Sequence, residues 1–136
     1  MTGQAYFSHR NGHLHCDDVP AGRIAEEHGT PCYVYSASAL RERYECISDA
    51  FSRWDPLVCF SVKSCGNLAV LNLLRECGSG FDVVSGGELH RALTAGADPE
   101  SIVFAGVGKT RAEIRQALEA GIGMFNVESG PELRAI

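Results

Sequence analysis

Hydrophobic and polar residues alternate along the chain in a repeating order of strand-like and helix-like segments. Short apolar runs are centred on Phe60, Val83, Val103 and Phe125, at separations of 23, 20 and 22 residues. A segment whose apolar residues have helical spacing fills each gap. Strand, loop and helix repeated at this period predict βα units with parallel strands, and therefore an α/β fold.

The ends of the predicted helices carry matching signals. The pattern Ser/Thr-x-x-Glu occurs at Ser85–Glu88, Thr110–Glu113 and Ser129–Glu132 and predicts a capping box at each helix start. Gly96 and Gly121 follow two of the helices and predict left-handed caps. The nearly constant period favours a (β/α)8 barrel, which needs about 250 residues. About four βα units are present, so we expect the N-terminal part of a TIM-type barrel from a longer protein.

A different pattern precedes this repeat. Two short alternating segments flank Asn11-Gly12, a dipeptide typical of a hairpin turn. A helical pattern begins at Pro20 and stops at Gly29. The run Cys32–Tyr35 is β-type and predicts a short strand.

Ser36 or Ser38 is expected to cap the longer amphipathic helix that comes next. We therefore predict two parts. Residues 1–35 form a segment of hairpin, helix and strand, and residues 36–136 form the first half of a barrel.

Composition excludes several classes of function. The chain is 45% hydrophobic with a formal net charge of −5, and it has no block of Lys and Arg, so we expect no nucleic-acid partner. It has neither an apolar run of 18 residues nor the apolar region of a signal peptide, so we expect no membrane association. Six cysteines without a C-x-x-C pair, and no export signal, favour a reducing cytoplasm.

The histidines, cysteine and aspartates near the N-terminus are residue types that bind metal ions. His13-Leu14-His15-Cys16 is followed by two aspartates. No second cluster of ligands completes a site of the usual spacing. We therefore predict no metal site.

Lys63 is the clearest candidate for chemistry. It follows the apolar run Leu57–Val62 and precedes the turn-prone pair Gly66-Asn67. An ammonium at the end of a buried strand loses water, which lowers the pKa of a lysine and frees its amine as a nucleophile. The alternative is a lysine that simply extends into solvent.

The next strand ends with further polar residues, at Asp82, Ser85 and Glu88. The carboxyl ends of parallel barrel strands share one rim, which is the functional face of such barrels. One amine and two carboxylates on this rim are a plausible set for covalent catalysis. The alternatives are that Glu88 only closes a capping box and that Asp82 only binds a backbone amide.

The glycine-rich run Ala105–Thr110 is similar to the end of a phosphate-binding loop. A Walker A motif requires glycine at the position of Val103, so this interpretation fails. Thr110 is better explained as a helix cap.

Four runs of residues resemble the N-terminal half of a known family: Phe60–Lys63, Gly80–Leu89, Ile102–Thr110 and Asn126–Ser129. Within the second of these, Asp-Val-Val-Ser-Gly-Gly-Glu is the most specific piece. Together they resemble the fold-type III pyridoxal-phosphate decarboxylases, which act on diaminopimelate, ornithine and arginine. The resemblance covers nearly the whole chain.

The resemblance implies that Lys63 binds pyridoxal 5'-phosphate covalently and that Asp82 and Glu88 lie beside this cofactor. The implied reaction is α-decarboxylation of an amino acid. The substrate that the resemblance favours is meso-diaminopimelate, which is converted to L-lysine and carbon dioxide. The resemblance also implies a homodimer, with residues 1 to about 35 contributing to a β-domain. A decarboxylase of another basic amino acid and a catalytically silent homologue that binds protein partners remain alternatives.

The chain departs from the family at Cys65, where asparagine is common. The family's ring-stacking histidine, phosphate loop and C-terminal cysteine and tyrosine motifs lie beyond residue 136. We therefore expect the 136 residues alone to be inactive.

Overall fold

The computed structural model describes residues 5–136. The chain divides into two compact units, one ending at Arg43 and the other spanning Tyr44–Ile136. This division falls inside the long helix Ala37–Ala50. The boundary predicted at residues 35 and 36 lies before that helix and stays a prediction.

The N-terminal unit contains a small antiparallel sheet in the order β1-β2-β3. Asn11 and Gly12 both have positive φ, 52° and 81°, as the predicted tight hairpin turn requires. The helix after Pro20 ends at Gly29, also as predicted. The elements of this unit are β1 (Phe7–Arg10), β2 (His13–Cys16), β3 (Val19–Pro20), α1 (Ala21–His28) and the start of α2 (Ala37–Ala50).

The strand predicted at Cys32–Tyr35 is wrong, because this segment has no regular secondary structure. A β-type run becomes a strand only when it pairs with another strand, and neither of the sheets within residues 5–136 includes this run. The adjoining helix cap is confirmed at Ser36. Its Oγ accepts a hydrogen bond from Ala39 N (2.9 Å) and donates one to Asp17 Oδ1 (2.7 Å).

The C-terminal unit is a parallel sheet in the order β4-β5-β6-β7, with a helix after each strand. The four predicted strand centres all lie in these strands, and the predicted four βα units of a barrel are confirmed. The elements are β4 (Cys59–Ser61), α3 (Leu68–Glu76), β5 (Gly80–Val83), α4 (Gly86–Thr94), β6 (Ile102–Phe104), α5 (Arg111–Ala120), β7 (Met124–Phe125) and α6 (Gly130–Leu133).

The core of this unit lies between the helices and one face of the sheet. Phe81, Val83, Ile102 and Phe104 are fully buried there with Leu71, Leu89 and Ala117 from the helices. Side chains alternate across a strand. The other face carries residues that are register partners in successive strands: Ser61, Asp82 and Val103, which are half-buried, and Met124, which is exposed.

Only one of the three predicted capping boxes is complete. At α5, Thr110 Oγ1 accepts from Glu113 N and the Glu113 carboxylate accepts from Thr110 N. At α4 the serine caps the helix, but the Glu88 carboxylate binds the amide of Val84, one residue before the cap. The third box differs in the same way, with Glu132 bound to the amide of Glu128. The predictions at α4 and α6 are therefore correct for the hydroxyl and wrong for the carboxylate.

Candidate functional site

Lys63 lies in a single 3-10 turn, Val62–Ser64, directly after β4. Val62 is buried (1% exposed), whereas Lys63 is exposed. The expected loss of water by this ammonium is thus not found among the described residues. Among residues 5–136, none forms a hydrogen bond or an ion pair with the Lys63 ammonium. The Lys63 side chain is therefore not committed to another group of the described residues.

Asp82 lies on the partly open face of β5 and is paired in register with Ser61 of β4. Ser61 Oγ donates a hydrogen bond to Asp82 Oδ2 (3.0 Å). This bond joins the two strands two residues before Lys63. Asp82 therefore holds the end of β4, and its hydrogen-bond partner is a side-chain hydroxyl and not the backbone amide of the alternative interpretation.

Glu88 is in the first turn of α4 and is partly buried. Its Oε2 accepts a hydrogen bond from Val84 N (2.8 Å). Because this bond spans the turn between β5 and α4, the carboxylate fixes the loop that follows the strand of Asp82. The helix-capping alternative for Glu88 is thus close to the observed geometry, which differs only in that the bonded amide belongs to Val84 and not to the cap residue Ser85.

The three predicted residues belong to elements that pack together. The turn that carries Lys63 contacts both β5, which carries Asp82, and α4, which carries Glu88. Neither carboxylate forms an ion pair with the lysine. Asp82 accepts a hydrogen bond from Ser61 of the neighbouring strand, and Glu88 accepts one from the amide of Val84. The structure therefore brings together the elements that carry the three residues, at the carboxyl ends of β4 and β5.

Lys109 is a buried charge that the sequence interpretation overlooked. Its Nζ donates to Gly106 O (2.7 Å), Asn126 O (2.8 Å) and Glu132 Oε1 (2.8 Å), and its side chain is only 1% exposed. An ammonium has three N–H donors, so all are used. Lys109 joins the loops that follow β6 and β7. A lysine after a glycine-rich turn was the only available signal, and nothing in the sequence paired it with Glu132.

Two glutamates at the helix starts have a lowered pKa. The amides of Gly86 and Thr110 donate to the Glu113 carboxylate and stabilise its charged form. The pKa of Glu132 is lowered mainly by its hydrogen bond from Lys109 and also by the amide of Glu128. Both groups are therefore charged well below neutral pH.

We expect acid to destabilise this unit through these groups. A lowered native pKa means that the unfolded chain binds more protons near pH 4.5, the ordinary value for Glu. The stabilisation is complete above that pH and is lost as the pH falls through the native pKa. Urea denaturation of the complete protein between about pH 5 and pH 3 measures this dependence. The Glu113→Gln variant should show a weaker dependence than wild type, and an unchanged dependence would contradict the assignment.

Neither metal ligands nor a membrane span emerge from the described part of the chain. Across residues 5–136, no three His, Cys, Asp or Glu side chains form a group able to hold a metal ion. The helices within the same range are also too short or too polar to cross a bilayer.

Comparison with known proteins identifies the family. A family model described as pyridoxal-dependent decarboxylase, pyridoxal binding domain, matches residues 37–136. The diaminopimelate decarboxylase of Pseudomonas aeruginosa is 52% identical over 130 residues, covering 96% of this chain and 31% of that protein. That of Neisseria meningitidis serogroup B is 53% identical over 123 residues, covering 90% of this chain and 30% of that protein.

Solved structures agree with these sequence relatives. A diaminopimelate decarboxylase from M. jannaschii, crystallised with L-lysine, superimposes with a TM-score of 0.90 at 38% identity, covering 96% of this chain and 31% of that one. This likeness confirms the prediction of the N-terminal part of a TIM-type barrel. The chain spans about a third of the length of the relatives it matches.

The residues present fit a pyridoxal group. Its aldehyde needs a primary amine that is not already committed to other bonds. Lys63 meets this requirement, whereas Lys109, with three hydrogen bonds, does not. The matched family model covers most of the chain and includes Lys63. The chain belongs to the pyridoxal-dependent decarboxylases and carries residues of their pyridoxal-binding domain.

Proposed function

We propose that the protein decarboxylates meso-diaminopimelate to L-lysine with pyridoxal 5'-phosphate held covalently on Lys63. One observation carries the assignment of the lysine. The chain has two lysines; the amine of Lys63 is exposed and unbound among the described residues, and the amine of Lys109 is saturated. The names of the relatives support the substrate.

Asp82 and Glu88 hold the surroundings of this amine. The hydrogen bond from Ser61 to Asp82 keeps the carboxyl end of β4 beside β5, which fixes the origin of the Lys63 turn. The bond from Val84 to Glu88 fixes the loop that follows β5. Holding a reacting group in place lowers the entropy lost on reaching the transition state.

The bound cofactor supplies a conjugated ring that takes up the electron pair left when carbon dioxide departs. The chain's own residues orient the cofactor and hold the reacting amine in place. Lys63 provides the attachment point, and its exposed position leaves room for an incoming substrate amine at the same place. Asp82 and Glu88 form no ion pair with the amine, because Asp82 accepts a hydrogen bond from Ser61 and Glu88 accepts one from the amide of Val84.

The remaining parts of the proposal follow from the family. The N-terminal unit, with its small antiparallel sheet, is assigned to the β-domain of the complete protein, and its predicted extent is residues 1–35. The complete protein is assigned as a cytoplasmic homodimer acting on a small amino acid. The net charge of −5 over these 136 residues supports the expectation that the protein has no nucleic-acid partner.

Borohydride reduction of the complete protein, loaded with pyridoxal phosphate, tests the central assignment. Reduction makes the bond between cofactor and lysine permanent, so a peptide containing Lys63 should carry one pyridoxyl group. Mass spectrometry of the digest locates it.

Lys109 is the internal control in the same digest, because its three hydrogen bonds leave no free N–H. Label on another lysine with Lys63 unmodified would overturn the assignment. Production of lysine and carbon dioxide from diaminopimelate, and not from ornithine or arginine, tests the substrate.

A further inference from the structure

Glu113 connects two loops at the rim where Lys63 lies. Its Oε2 accepts from Thr110 N (3.0 Å) and Thr110 Oγ1 (2.7 Å), which completes the cap of its own helix. Its Oε1 accepts from Gly86 N (3.0 Å), in the first turn of the neighbouring helix. Closing the cap needs one oxygen only. The second oxygen therefore does something that helix capping does not require.

The loop held by this second oxygen is the one that carries the proposed cofactor residues. Gly86 lies between the capping Ser85 and Glu88, whose carboxylate fixes the same turn from the other side. Glu113 thus anchors, from α5, the turn that Glu88 closes within α4.

The packing at Gly86 supports a close and specific approach. A Cβ added there would lie 2.7 Å from Gln116 Oε1 and 3.2 Å from Glu113 Cγ, so the turn lies close against α5. At Gly87 the nearest atom would be Ser85 Oγ, at 3.9 Å. The closeness is confined to the residue whose amide Glu113 binds. The two glycines therefore have different roles.

We propose that Glu113 is a positioning residue for the cofactor site, acting through the amide of Gly86 on the turn between β5 and α4. This inference rests on the function proposed above. The carboxylate does not contact the reacting atoms. It keeps the turn, and with it Glu88, in the position that the Lys63 turn packs against.

Two alanine variants of the complete protein separate positioning from capping. Glu113→Ala removes both the cap and the bond to Gly86, whereas Thr110→Ala removes the capping hydroxyl and leaves the bond to Gly86. We expect Glu113→Ala to lower kcat/KM by about 10- to 100-fold, as small misplacements near a reacting group do. Thr110→Ala should stay within about threefold of wild type, since it leaves the turn in place.

A measurement without cofactor supports the comparison. In the apoprotein, hydrogen exchange at the Gly86 amide should be faster in Glu113→Ala and unchanged in Thr110→Ala. Glu113→Gln, which keeps one accepting oxygen, should lie between wild type and Glu113→Ala in both exchange and kcat/KM.

The outcomes distinguish the two proposals. If borohydride labels Lys63 in wild type but the two alanine variants lose equal activity and show equal exchange, Glu113 is only a helix cap and this inference fails. If wild type is not labelled at Lys63, the proposed function fails first. Faster exchange at Gly86 in Glu113→Ala with unchanged kcat/KM would also overturn the positioning role.

Discussion

Replacing Lys63 with alanine should lower kcat for decarboxylation by at least about 1000-fold, or roughly 4 kcal/mol of activation free energy. The variant loses the amine that is exposed and unbound in the described structure, and the saturated amine of Lys109 does not replace it. Because Lys63 is exposed in the described structure, the free energy of unfolding of the apoprotein should change by no more than about 0.5 kcal/mol. Steady-state kinetics and urea denaturation of the complete protein give both quantities.

Lys63→Arg is the matched control for charge. The guanidinium keeps the positive charge but is not a nucleophilic amine, so this variant should be as inactive as the alanine one. Substantial activity in Lys63→Arg would show that the position needs only a cation. Substantial activity in Lys63→Ala would place the cofactor elsewhere.

Replacing Lys109 with methionine should lower the free energy of unfolding by about 3 kcal/mol, because three hydrogen bonds of roughly 1 kcal/mol each are lost. The loss is concentrated at the ends of β6 and β7, where the ammonium joins Gly106 and Asn126. Denaturant unfolding of the complete protein measures it.

Arg115→Met is the control, since it removes an exposed cation from the neighbouring helix. Its effect should stay within about 0.5 kcal/mol. The double variant Lys109→Met with Glu132→Met should be more stable than Lys109→Met alone, because no carboxylate is left without its partner. Equal losses in Lys109→Met and Arg115→Met would contradict a structural role for the buried ammonium.

The order of elements could be predicted from the sequence because its signals are local. Strand centres, the Asn11-Gly12 turn and the Ser36 cap each depend on residues close together in the chain. The strand predicted at Cys32–Tyr35 was wrong for the opposite reason. A strand depends on a partner, and the β-propensity of the run itself says nothing about whether one is present.

The same distinction between local signals and distant partners explains which features of the candidate site could be predicted. The position of Lys63 at the end of a strand follows from the apolar run before it, and the resemblance gave its expected role. Its exposure could not be predicted, because exposure depends on which other segments pack over the turn and not on the residues next to it. The bonds from Lys109 to Glu132 and from Gly86 to Glu113 join residues 23 and 27 positions apart. Such pairs become visible only when neighbouring loops are seen together.

The order β4-β5-β6-β7 follows the order of synthesis. Each strand after β4 pairs with the strand that precedes it in the chain, so its partner is synthesised before it. Contacts between successive units keep the sequence separation of paired residues near one repeat, which favours rapid folding. This part of the protein is therefore suited to assemble one unit at a time during translation.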